Sequence, residues 1–144
     1  MSSKFRLLAE GYFVSPQITA DEVRAAAAMG IKLIINNRPE GEEPDQPPGA
    51  EIEKAAKAEG VAYAAIPIRG SDISAAQLEA FERAAAGASG PVLAFCRSGT
   101  RSTMIRAFAL ARAGGDADEI LEEAAAAGYD LSPLRPRLVA LANR

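Results

Sequence analysis

Pro91-Val-Leu-Ala-Phe-Cys-Arg-Ser-Gly-Thr-Arg-Ser102 is the stretch on which the fold turns. Its first five residues form a short apolar run suited to a strand buried on both faces. Cys96 stands at the carboxyl end of that strand. A tight loop containing Gly99 follows, and the next helix is expected from near Ser102 to Ala113. Strand, glycine-bearing loop and helix in this order are a unit of an α/β fold, whose ligands bind beyond the carboxyl ends of the strands.

Outward from this unit the chain alternates strand and helix signals. Phe5–Leu8 and Tyr12–Ser15 read as strands turned at Glu10-Gly11. Thr19-Ala-Asp-Glu22 has the form of a capping box opening a helix that stops at Gly30. Ile31–Asn36 is a buried strand, and Glu51–Glu59 is a helix by composition, ended by Gly60. Val61–Ile66 is a further strand. Ser74-Ala-Ala-Gln77 is a second capping box, and its helix ends near Gly87. Beyond Gly114-Gly115, Asp116–Ala127 reads as a helix and Ser132-Pro133 as the cap of the last one. Asn37–Gly49, with four prolines, three glutamates and one aspartate, is a long acidic loop. The order predicts a mainly parallel sheet with helices on both faces, in one domain over residues 1–144.

Composition narrows the chemistry. The 144 residues contain one cysteine and no histidine. Ser-His-Asp and Cys-His catalysis and His-ligated metal sites are therefore excluded, as are intrachain disulfides and CxxC redox pairs. No metal or other cofactor is expected. Alanine accounts for 32 residues, so the core must come mostly from Val, Ile, Leu and Phe. A net charge of -3 argues against nucleic acid or an anionic membrane as partner. The opening segment meets Glu10 and Gly11 before any signal-peptide apolar region develops, and a cytoplasmic protein is expected.

The remaining chemistry converges on Cys96. A turn at Gly99 aims backbone N–H groups inward, and the following helix adds its unpaired amides and positive dipole end. Arg101 supplies a planar fork for two oxygens of an anion. The same field favours a Cys96 thiolate. Arg97, Ser98, Gly99, Thr100 and Ser102 line this cradle, and the Ser102 hydroxyl is expected to donate to the sulfur. Asn37 and Arg38 follow a core strand at the same sheet edge, so Arg38 is expected to support the cradle or pair with the acidic loop.

Cys-x4-Arg in this setting, together with Ile34-Ile-Asn-Asn-Arg-Pro-Glu-Gly-Glu-Glu-Pro44, Gln46-Pro47 and Ile66-Pro67, resembles the bacterial DUF442 family. That family is also called the phosphatase-like domain of beta-lactamase hydrolase-like proteins and is related to dual-specificity protein tyrosine phosphatases. The resemblance implies a three-layer phosphatase-like α/β fold, Cys96 as nucleophile and Arg101 as the phosphate-binding arginine. It also implies an acidic residue on the loop between the preceding strand and helix, where Asp72 stands. Glu40, Glu42, Glu43 and Asp45 are the alternative acids. The chain departs from ordinary tyrosine phosphatases by carrying Phe95 in place of His and four, not five, residues between Cys and Arg.

The substrate implied is anionic, a phosphate ester or a sulfur oxyanion. Cys-Arg-x-Gly-x-Arg is equally similar to the six-residue loop of rhodanese-type sulfurtransferases, in which the thiolate carries a persulfide. A non-catalytic anion-binding module is the third reading.

Overall fold

The structure, a computed structural model, describes residues 4–143; Met1–Ser3 of the segment read for a signal peptide lie outside them. Five strands form one sheet in the order β1-β2-β5-β3-β4. β1 (Arg6–Ala9) runs antiparallel to β2 (Tyr12–Ser15), forming the expected hairpin. β2, β5 (Val92–Phe95), β3 (Leu33–Asn36) and β4 (Ala62–Ala65) are mutually parallel.

Period-two alternation distributes the central strands between two cores. Val92 and Ala94 of β5, with Leu33 and Ile35 of β3, face one core. Leu93 and Phe95, with Ile34, face the other. All these side chains are buried, which is why β3 and β5 read as near-continuous apolar runs. Helices α1 (Ala20–Ala28) and α2 (Gly49–Ala58) pack together over the second core. The first core is covered by α3 (Ala75–Ala86), α4 (Thr100–Arg112), α5 (Ala117–Ala126) and α6 (Arg135–Ala142). Both capping boxes form, Thr19 with Glu22 and Ser74 with Gln77.

Several boundaries differ from expectation for local reasons. Ile31 and Val61 lie outside their strands because each amide closes the preceding helix, donating to Ala26 O at 3.1 Å and Ala56 O at 2.9 Å. These are the six-to-one bonds of a glycine-terminated helix, with Gly30 and Gly60 at positive φ. Helix α2 starts two residues early, at Gly49, whose N–H donates to both carboxylate oxygens of Glu40. Helix α4 also starts two residues early because Gly99, at φ 95°, turns the chain straight into it. Ser132-Pro133 does not cap α6. The pair opens a 3-10 turn, Ser132–Leu134, and the Ser132 amide donates to Asp130 instead.

Candidate active site

The loop 96–101 leaves the end of β5, the strand in the middle of the sheet, with the ends of β2 and β3 on either side. Backbone bonds continue the sheet into it: the Cys96 amide donates to Ser15 O, and the Asn37 amide to Phe95 O. Cys96 is 0% exposed, and the Gly99 amide donates to its Sγ at 3.1 Å. No acceptor among the described residues takes the amides of Arg97, Ser98, Arg101 or Ser102. The start of α4 has no side-chain cap, since Gly99 occupies that place. Four free donors, two on the loop and two in the first turn of the 13-residue helix whose positive end they form, are thus gathered beside Cys96. Tyr129 holds the loop from behind by donating from Oη to Ser98 O at 3.0 Å. Burial raises the Tyr129 pKa, and the Arg6 guanidinium opposes the rise.

Arg101 lies at the rim with both terminal nitrogens on Glu42, at 2.7 and 2.9 Å, and a further bond from Nη1 to Ile68 O at 2.9 Å. Arg38 is 3% exposed and uses every guanidinium nitrogen. Its Nε donates to Glu42 at 2.9 Å, Nη2 to Glu43 at 2.8 Å and Nη1 to the Gln17 side chain at 3.0 Å. Arg97 is mostly solvated, at 64% side-chain exposure, but reaches Glu43 at 3.3 Å. The acidic loop is therefore clamped across the cradle by three arginines.

The bonds from Arg101, then those from Arg38, lower the Glu42 pKa from 4.5 to about 2. A folded-state pKa depressed in this way contributes stability that is complete above about pH 5 and disappears as pH falls towards 2. Glu42→Gln should therefore unfold at a lower temperature than the parent at pH 6 and converge with it near pH 2. Thermal melts at a series of pH values check this, and a gap independent of pH would show that the ionisation of Glu42 adds nothing to stability.

The Ser102 hydroxyl does not donate to Cys96, contrary to expectation. It is buried and donates to Asn37 Oδ1 at 2.8 Å, because α4 starts early and rotates Ser102 towards the end of β3. Asn37 Nδ2 in turn donates to Ile66 O at 2.9 Å, tying β3, the segment after β4 and α4 together below the loop. Asn37→Ala would leave two buried partners unsatisfied and should cost about 1–3 kcal/mol in urea denaturation. A cost below about 0.5 kcal/mol would mean that the cradle floor does not depend on this bridge.

Asp72 lies exposed on the loop between β4 and α3, with no side-chain partner among the described residues. Of the four loop acids, Glu40 caps α2, Glu42 and Glu43 meet arginines, and Asp45 is exposed. Thr100 is also exposed and accepts from the Ser98 hydroxyl at 3.0 Å. Sequence reasoning missed Tyr129, Gln17 and the Ile68 carbonyl. No spacing rule links them to Cys96, since tertiary contact alone brings them there.

An open concavity of about 250 Å³, lined by Leu78, Phe108 and Leu141 among others, lies between α3, α4 and α6, away from the loop. Among the described residues, no three His, Cys, Asp or Glu side chains cluster as a metal site, and no helix is long and apolar enough to cross a membrane.

Residues 4–115 match the family model described as beta-lactamase hydrolase-like protein, phosphatase-like domain. A beta-lactamase hydrolase-like protein of Xylella fastidiosa is 40% identical over 119 residues, which are 82% of this chain and 28% of that protein. The chain thus spans under a third of that curated relative. Among solved structures, a candidate phosphatase from Neisseria meningitidis is 37% identical, with a TM-score of 0.87 over 97% of this chain and 99% of the other. Tk-PTP in its active form, at 21% identity, has a TM-score of 0.74 over 100% and 99% of the two chains and shares the fold. The architecture is accordingly that of the protein tyrosine phosphatase-like enzymes.

Proposed function

This chain belongs to the family of beta-lactamase hydrolase-like protein phosphatase-like domains, and from that premise we propose that residues 1–144 form one phosphatase-like unit that hydrolyses phosphate monoesters through Cys96. The observation that carries the reading is the placement of a cysteine sulfur beneath a loop with four unused amides and an arginine fork. The Cys96 thiolate attacks phosphorus and the bond to the ester oxygen breaks. Arg101, the amides of Arg97, Ser98 and Ser102, and the first turn of α4 hold the equatorial oxygens, with Gly99 and Thr100 shaping the loop. Water then attacks the phosphocysteine, releasing inorganic phosphate and restoring the thiolate.

The leaving oxygen needs a proton. Glu42, ionised down to about pH 2, has none to give in its clamped position. We assign the role to Asp72, whose loop is tied to Arg101 through the Ile68 carbonyl. Asp72→Asn should slow hydrolysis of alkyl phosphates by about 100-fold while hardly changing that of an activated aryl phosphate, whose phenolate leaves unaided. Equal slowing of both would remove Asp72 from the acid role.

Sulfur transfer is the second reading, favoured by the four-residue spacing and because, among the described residues, no carboxyl bonds to Cys96. Here the thiolate attacks the outer sulfur of thiosulfate, sulfite leaves, and the Cys96 persulfide passes its sulfur to an acceptor. Aryl phosphate hydrolysis and thiosulfate-to-cyanide transfer, measured on the same preparation, separate the two. Turnover of the phosphate supports the first, turnover of thiosulfate alone replaces it with the second, and anion binding without either leaves a binding module.

A further inference from the structure

We propose that Arg38, Arg97 and Arg101 together bind a ligand carrying two adjacent anionic groups, one of them phosphoryl, whose places are held here by Glu42 and Glu43. The inference rests on the reading of the Cys96 loop as a phosphoryl site and specifies its substrate class.

Three contacts define the two places. Arg101 grips Glu42 through two roughly parallel bonds, the geometry by which a guanidinium takes two oxygens of a phosphoryl group. Arg38 sends Nε to Glu42 and Nη2 to Glu43, so that one guanidinium edge spans two separate anions lying side by side. Arg97, on the loop that carries the nucleophile, takes the second oxygen of Glu43.

Burial makes the pairing obligatory. Both terminal nitrogens of Arg101 are engaged by Glu42, so a phosphoryl group that takes this fork displaces Glu42 from it. That displacement strips one anion from Arg38, whose side chain is 3% exposed. A buried guanidinium left half-paired is costly. A ligand with one anionic group refills the place of Glu42 and leaves Glu43 where it is. A ligand with two refills both, and a phosphoryl dianion with a second anionic group balances three guanidinium charges that two carboxylates do not.

Titration calorimetry with inorganic phosphate, pyrophosphate and 2-phosphoglycolate tests this without requiring turnover. The two-anion probes should bind about tenfold or more tighter than phosphate. Glu43→Gln, which removes one competitor, should strengthen them threefold or more and leave phosphate within about twofold. Arg97→Gln, at an exposed position where folding is not at stake, should narrow the preference. A stronger response to pyrophosphate identifies the second group as phosphoryl, and a stronger response to 2-phosphoglycolate as carboxylate. Equal affinities for all three probes in the parent and in Glu43→Gln would overturn the inference and leave the phosphoryl site standing. If no probe bound, the phosphoryl site would fall with it.

Discussion

Cys96→Ser is expected to lower kcat/KM for an aryl phosphate by at least about 1000-fold while leaving the affinity for inorganic phosphate within about threefold of the parent. The two halves of the expectation have different sources. A hydroxyl in place of the thiol is far less ionised and a poorer nucleophile, so the covalent step is lost. The donors proposed to hold the anion are Arg101, the free amides of the loop and the start of α4, and none of them changes with the substitution. Serine is smaller than cysteine and can still accept from the Gly99 amide, so the loop should keep its shape. Steady-state kinetics and phosphate titration on one preparation check both halves. Hydrolysis that survives the substitution would remove Cys96 from the mechanism, and loss of phosphate binding would show that the sulfur organises the cradle.

Gly99→Ala is expected to cost at least about 2 kcal/mol in stability and to abolish measurable anion binding. At φ 95° an L-residue pays about 1–2 kcal/mol for the left-handed backbone. The added methyl also meets the Tyr129 hydroxyl, which approaches the glycine because it is bonded to the Ser98 carbonyl. Relief of the overlap has to tilt either the tyrosine or the loop, and both movements turn loop amides away from their common focus. Tyr129→Phe separates the contributions. Alone it loses one hydrogen bond, about 0.5–1.5 kcal/mol. In combination it should restore part of the stability of Gly99→Ala but not the part due to the backbone. Urea denaturation of the four proteins forms the cycle. Additive effects would show that the tyrosine and the glycine do not meet, and an undiminished phosphate affinity in Gly99→Ala would show that the cradle does not need this turn.

Much of the fold was legible because the decisive signals are local. The capping boxes at Thr19 and Ser74, the turns at Gly11, Gly30 and Gly60, and the apolar runs of β3 and β5 each concern residues a few positions apart. Local bonds also explain the errors: Ile31 and Val61 read as strand from their side chains, whereas their amides are committed to the preceding helix. The early start of α4 followed from the backbone of a single residue, Gly99, and carried the Ser102 hydroxyl away from the sulfur to Asn37.

Sequence alone directed the expectation of thiol chemistry to one position, Cys96. One thiol and no histidine excluded imidazole chemistry and thiol pairs, and the glycine-bearing loop between an apolar strand and a helix marked where an anion cradle was to be expected. Tertiary structure alone decided the partners of that cradle. The acidic loop offered four equivalent-looking carboxylates, yet Glu40 went to a helix end and Glu42 and Glu43 to Arg101, Arg38 and Arg97. Residues 42 and 101 are brought together because β3 and β5 are neighbours in register, with Asn36 opposite Phe95. Composition shows how many charges of each sign a chain carries, but only the folded sheet sets which of them are close enough, and dry enough, to bind one another.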